Sequence, residues 1–151
     1  MHVLGFHQDL YEFWKDAEGL PYESVTSLIS TRGKHPYAIT TPKVVEWARY
    51  EFGYDELTSV ELENASAFEE PGSNWEKRIM FNDIMTRGVD VEGTIISTIT
   101  LAAMEDSGWY TPCYEFASHI NWGRNQGADF FNDKCIVDNN PTFDEFCNDF
   151  G

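Results

Sequence analysis

Apolar positions give one clear helical stripe in this chain. Val44, Ala48 and Phe52 fall four residues apart, with Val45 and Trp47 beside them, the spacing of one helix face. Thr41 is a good N-cap. Pro42 suits the first helical position, where a backbone N–H would lack an intrahelical partner anyway, and Gly53 supplies the stop. The pattern predicts a helix over 42–52. A second apolar face, made by Ile95, Ile99, Ala102 and Ala103, predicts a helix over about 94–106, opened by Gly93 and Thr94 and ended by Gly108. The rest is less regular. Met1–Phe6 is a short apolar stretch closed by Gly5, as a helix closes at its C-terminal glycine. Residues 23–39 read as irregular chain or short strands around Arg32-Gly33-Lys34. Residues 54–84 are loop-rich, with a sharp break at Pro71-Gly72-Ser73.

Composition narrows the possibilities. The 151 residues fit one domain or a piece of one, and 42% hydrophobic with 15% aromatic residues suffices for a sizeable core. Twenty-six acidic against ten basic side chains give a formal charge of −16, which argues against non-specific binding to nucleic acid or an anionic lipid surface. No apolar run reaches the ~18 residues of a membrane span. MHVLGFHQDL lacks the basic and apolar regions of a signal peptide. Cys113, Cys135 and Cys147 form no Cys-x-x-Cys pair. Either Cys135 and Cys147 close a small loop or all three are reduced, so the redox compartment stays open. Asn64-Ala65-Ser66 has the pattern of a glycosylation sequon.

The chemistry-bearing residues lie in several collinear stretches. His2-x-x-Gly5-Phe6 comes first, then Thr41–Phe52 (TPKVVEWARYEF). Gly72-Ser73-Asn74-Trp75-Glu76-Lys77-Arg78 follows, and Asp83-Ile84-Met85 places Met85 eleven residues after Asn74. Trp122-Gly123-Arg124-Asn125-Gln126-Gly127 and Lys134-Cys135 close the series. In order and spacing this resembles the leishmanolysin family of zinc metallopeptidases, part of the metzincin group, from about His2 to Cys135. That family uses a His-Glu-x-x-His-x-x-Gly-Phe helix, a third His in Gly-Ser-His-Trp-Glu-x-Arg, and a Met-turn methionine beneath the metal.

The resemblance implies zinc as cofactor and His2 as the second zinc ligand. It places Asn74 in the third ligand position and makes Met85 the Met-turn methionine. It also implies that the first His and the general-base Glu would precede Met1, so no catalytic residue is assigned within the chain. Met1 is then consistent with an internal methionine whose missing half lies upstream. Asn74 departs from the pattern, since a neutral amide oxygen is a poorer partner for Zn²⁺ than an imidazole nitrogen. Ala128 stands where the family usually has Cys. His7 falls one residue short of the third-ligand spacing of shorter metzincins and is expected to point elsewhere, while His35 and His119 have no spacing partner. Trp75, Glu76 and Arg78 are expected to hold the loop of position 74 by packing and ion pairing.

The expected fold is α+β, mainly helical with short strands and long loops. It corresponds to the C-terminal part of a metzincin-like catalytic unit with its inserted middle region, as a single partial domain over 1–151. The expected class is a zinc metalloendopeptidase acting on protein or peptide substrates, the chain as given not being catalytic. The alternative is a non-catalytic binding or adhesion module derived from such a protease. An extracellular or cell-surface location is implied by the resemblance alone.

Overall fold

Two helices form the spine: α1 (Pro42–Phe52) and α3 (Thr98–Asp106), with the four-residue α2 (Lys77–Met80) between them in sequence. The computed structural model describes residues 1–63, 71–88 and 93–147. The sequon at 64–66 therefore lies outside the described residues. α1 has the bounds its pattern predicts, and Gly53 closes it in the left-handed conformation at φ 64°. Its amino-terminal cap differs from expectation. Thr41 occupies the N-cap position but its side chain caps nothing. The Asp106 carboxylate, at the far end of α3, instead accepts the Lys43 and Val44 N–H groups at 3.1 and 2.9 Å. At the opposite end Thr98, opening α3, donates to Glu51 near the end of α1. The two helices therefore run antiparallel, tied at both ends by carboxylates.

α3 starts four residues later than the apolar pattern suggests. Ser97 is its N-cap, with Oγ accepting the Thr100 N–H at 3.1 Å. The β-branched run Thr94-Ile95-Ile96 favours extended backbone. It finds partners there: Ile84 N–H donates to the Ile95 carbonyl, Ile95 N–H to Asn82, and Ser118 N–H to Ile96. Ile95 thus belongs to a pairing segment rather than to the helix face. Ile99, Ala102 and Ala103 are buried as expected.

Strands are short. β1 (Thr26–Leu28), β2 (Tyr37–Ile39) and β3 (Val60–Glu61) form an antiparallel sheet in that order, with Ser27 opposite Ala38 and Ile39 opposite Val60. The turn between β1 and β2 is pinned by Arg32, which reaches back to the buried Glu61 carboxylate of β3 and to the Phe131 carbonyl. Beyond β3 the sheet continues as single bridges, Leu62 to Trp75 and Trp75 to Thr86. Those bridges carry the order of the sheet into the segment around position 74. The six-residue α4 (Gly127–Asn132) and a hairpin of β4 (Ile136–Val137) and β5 (Asn140–Pro141) complete the α+β fold.

The core draws on nearly the whole length of the chain. Phe6, Trp14, Ile39, Phe52, Leu62, Trp75, Ile79, Ile99, Ile120 and Phe130 are fully buried. Phe130 and Phe131 of α4 meet Phe52 of α1, the first stacked at 6.1 Å between centroids and the second edge-on at 4.9 Å. Burying an aromatic or large aliphatic side chain is worth about 1.5–3 kcal/mol.

Candidate metal centre

His2 lies in a 3₁₀ turn, His2–Leu4, that Gly5 ends at φ 126°. Only glycine fits there, because a Cβ would sit 2.7 Å from the Trp109 ring and the backbone is in the left-handed half of the map. The Gly5 carbonyl accepts the Trp14 indole N–H at 3.2 Å, and Phe6 packs edge-on against Trp75 at 4.7 Å. The Gly-Phe pair after His2 is thus an anchor that fixes the turn against the core.

The segment holding Asn74 is built from the other side. Gly72 runs so close to Glu63 that a Cβ would come within 2.4 Å of its carbonyl oxygen, a close approach that requires glycine. Tyr11 donates to the Gly72 carbonyl at 3.1 Å, and Ser73 Oγ accepts the Gln8 N–H at 3.1 Å. Burial pushes the Tyr11 phenol far above its ordinary range. The Asn74 carbonyl accepts the Glu63 N–H at 2.8 Å, and the Trp75 N–H donates to the Met85 carbonyl at 2.9 Å.

The two side chains singled out in sequence meet. His2 Nε2 lies 2.8 Å from the Ser73 carbonyl oxygen and 3.2 Å from Asn74 Oδ1, across 72 residues of chain. A carbonyl oxygen only accepts, so a hydrogen bond to Ser73 requires the His2 tautomer with its proton on Nε2. His7, expected to point elsewhere, lies edge-on to His2 with ring centroids 5.9 Å apart. Its Nδ1 faces its own turn, accepting the Asp9 N–H at 3.3 Å. His35 is exposed, in the segment between β1 and β2. Met85 is buried in the core and joins the Asn74 segment through the Trp75–Met85 backbone bond.

A closed circuit holds that segment in place. The Trp75 indole donates to Thr100 Oγ1 at 2.8 Å, Thr100 donates to the Asp83 carboxylate, and Asp83 Oδ1 accepts the Met85 N–H at 2.7 Å. Asp83 Oδ2 also accepts the Ser97 N–H at 3.0 Å. The sequence marks Asp83 only as part of Asp83-Ile84-Met85. Its signal is the spacing Asp-x-Met, which lets the carboxylate bond the backbone two residues on.

Further along, the Trp122–Gly127 stretch braces the same face. The Trp122 indole donates to the Arg78 carbonyl at 2.8 Å and stacks on Phe81 at 4.2 Å. Arg78 packs as expected, but over rings: its guanidinium lies 5.3 Å from the Phe130 centroid and 4.9 Å from that of Phe146. Its Nε donates to Cys135 Sγ at 3.0 Å. Cys113, Cys135 and Cys147 are all free thiols in the structure. Glu76 accepts the Arg78 N–H at 3.4 Å as a cap on α2.

A second carboxylate centre also escaped the sequence reading. Glu51, fully buried, accepts from Thr98 Oγ1 at 2.8 Å, His119 Nδ1 at 2.6 Å and Arg124 Nη1 at 3.0 Å. It fastens the segment of Trp122-Gly123-Arg124 to α1 and α3.

Burial raises the pKa of Asp83, Asp106 and Glu76 above the ordinary carboxylate range, in each case against hydrogen bonds that favour the ionised form. For such an acid the unfolded state binds fewer protons than the native state at any pH between the two pKa values. Stability therefore falls as pH rises through that interval, from the ordinary values of 3.8 and 4.5 upward. The charge of −16 acts in the same direction, because acidification relieves self-repulsion. The melting temperature is expected to be higher at pH 5 than at pH 7 in low salt; scanning calorimetry showing the reverse order would refute this.

The sequence resemblance implies a zinc ion at this junction. A catalytic zinc takes three protein ligands and a water. This junction offers the His2 imidazole and one amide oxygen, with His7 beside them turning its Nδ1 to its own backbone turn. Among the described residues no group of three or more His, Cys, Asp or Glu side chains is placed to hold a metal ion. The residues present do not fit a catalytic zinc. Nor is any helix among the described residues long and apolar enough to cross a membrane.

Comparison with known proteins gives a consistent picture. The family model described as Leishmanolysin matches residues 1–151. A leishmanolysin-like peptidase of Caenorhabditis elegans is 36% identical over 166 residues, taking in 89% of this chain and 25% of that protein. A leishmanolysin homolog of Crithidia fasciculata is 38% identical over 106 residues, covering 70% of this chain and 16% of its own. The ciliated left-right organizer metallopeptidase of Mus musculus is 32% identical over 139 residues, covering 86% and 19%. The chain spans about a quarter or less of the length of these curated relatives.

Proposed function

The chain belongs to the leishmanolysin family of peptidases, and on that premise we propose that it carries the family's metallopeptidase scaffold with a zinc seat its own residues cannot fill. The observation that supports this is the company of His2 Nε2, which meets the Ser73 carbonyl oxygen and the Asn74 side-chain oxygen where the family pattern has a further imidazole. A neutral amide oxygen adds little for zinc, and a catalytic zinc takes three protein ligands. The chain as given is therefore inactive toward peptide bonds, although its family acts on proteins.

The experiment is metal analysis of the purified chain. After exhaustive dialysis against zinc-free buffer, atomic absorption is expected to find far less than one zinc per chain. The same sample with added zinc is expected to leave a fluorogenic peptide uncut. Near-stoichiometric, tightly held zinc would overturn the reading.

A second reading, a binding module derived from the protease, has one supporting feature. An open groove of about 420 Å³ beside α1 is lined by Glu46, Trp47, Tyr50 and His119, none of them a residue of the His2 junction. Trp47 is held there by stacking on Tyr114 at 4.8 Å. Binding without cleavage favours this reading; cleavage by the dialysed chain eliminates it.

A further inference from the structure

We infer that His2 acts as the bolt of a metal-free clasp: its Nε2–H bonds to the Ser73 carbonyl and the Asn74 amide hold the amino-terminal turn to the rest of the fold, taking the place of a shared metal ion. The inference starts from the misfit of the donor set and concerns what the residues do instead. The proton's position follows from chemistry. The Ser73 carbonyl at 2.8 Å can only accept, whichever way the Asn74 amide is turned, so the ring nitrogen aimed at the junction is a donor. The Asn74 oxygen at 3.2 Å then takes the second branch of the same bond. A histidine at position 74 in neutral form would present either a lone pair or a second N–H. Asparagine presents an acceptor without changing its charge.

The surroundings are built to receive this bond. Gln8 N–H on Ser73 Oγ and the Tyr11 hydroxyl on the Gly72 carbonyl dock the same two segments from the side. Phe6 against Trp75 supplies the apolar contact underneath. Each of these ties joins residues 2–11 to residues 72–75, and none requires a cation. The clasp is thus the exposed outermost member of an interface whose other ties are part-buried hydrogen bonds and the Phe6–Trp75 contact.

The test separates hydrogen-bond donation from metal ligation by using a side chain that can do the first only. In the full chain, His2→Ala is expected to lower the melting temperature by about 2–4 °C, the shift for a loss near 1 kcal/mol in a domain of this size. His2→Gln places an amide N–H close to where Nε2–H stood and is expected to recover at least half of that shift. Excess zinc or EDTA is expected to move the native melting temperature by less than about 1 °C. Long-range ¹H–¹⁵N spectra should show the His2 ring as the Nε2–H tautomer, unchanged by an equivalent of zinc.

Three results would overturn the clasp: a melting temperature unchanged in His2→Ala, no recovery in His2→Gln, or a zinc-dependent rise in the native chain that disappears in His2→Gln. The first two leave the proposed loss of catalytic zinc standing, because a zinc-free chain can lack the clasp. The third refutes both and gives His2 a ligand's role.

Discussion

Asn74→His, introduced together with His-Glu-x directly ahead of Met1, is expected to raise zinc affinity by at least about 100-fold over the same extended chain with Asn74. The figure is a lower bound taken from the 10–100-fold cost of losing only an outer-shell partner of a metal ligand. Position 74 supplies a direct contact: its side-chain oxygen already lies 3.2 Å from His2 Nε2. An imidazole there converges with His2 on the same spot, and the added His on the preceding turn gives the third nitrogen. With three imidazoles, binding energy outweighs the modest bond to the Ser73 carbonyl, and His2 Nε2 gives up its proton. Competition with a chromophoric zinc chelator measures the difference directly. Linkage provides a second readout, since zinc at 100 times its dissociation constant stabilises a folded chain by about 2.7 kcal/mol. Equal affinities for the two extended chains would mean that position 74 does not face the metal seat.

How far the sequence reveals this arrangement depends on the range of the interaction involved. α1 is legible because its signals are local: a proline at the start, a glycine at the end and an apolar stripe between them. Its true cap is not, because Asp106 reaches it from the end of another helix. The start of α3 is hidden for a related reason. Thr94-Ile95-Ile96 continues the apolar period, but strand-like pairing with residues 82–84 and 118 competes for the same backbone. Collinear motifs did single out His2 and Asn74, although no pattern of hydrophobic positions connects residues so far apart. Glu51 shows the limit most clearly. On a helical wheel it is one more acidic residue in a chain that carries 26 of them. Only the convergence of Thr98, His119 and Arg124 makes it a buried carboxylate with its acceptors satisfied. Burial of a charge is a property of tertiary packing, and one sequence carries no periodic signal for it.

Asp83→Ala is expected to destabilise the chain by about 3–5 kcal/mol, a large share of the stability of an ordinary domain. Three donors lose their acceptor at once: the Met85 N–H, the Ser97 N–H and the Thr100 hydroxyl. All three residues are buried, and each orphaned polar group there costs about 1–3 kcal/mol. Removing the carboxylate also removes a desolvation cost, the burial that raises its pKa, so the three losses do not simply add. Asp83→Asn keeps the shape but replaces one acceptor oxygen with an NH₂ group that must face a donor, so an intermediate loss is expected. The asparagine variant also tests the pH argument: it should weaken the rise in stability on acidification, because one carboxylate whose pKa burial raises no longer titrates. Urea denaturation gives the free energies, and indole fluorescence supplies a local probe, since Trp75 shares Thr100 with Asp83. If Asp83→Ala costs less than 1 kcal/mol, the circuit through Trp75, Thr100 and Asp83 does not hold the Met85 turn. The placement of Asn74 beside His2 would then rest on the glycine contacts and the Phe6–Trp75 packing alone.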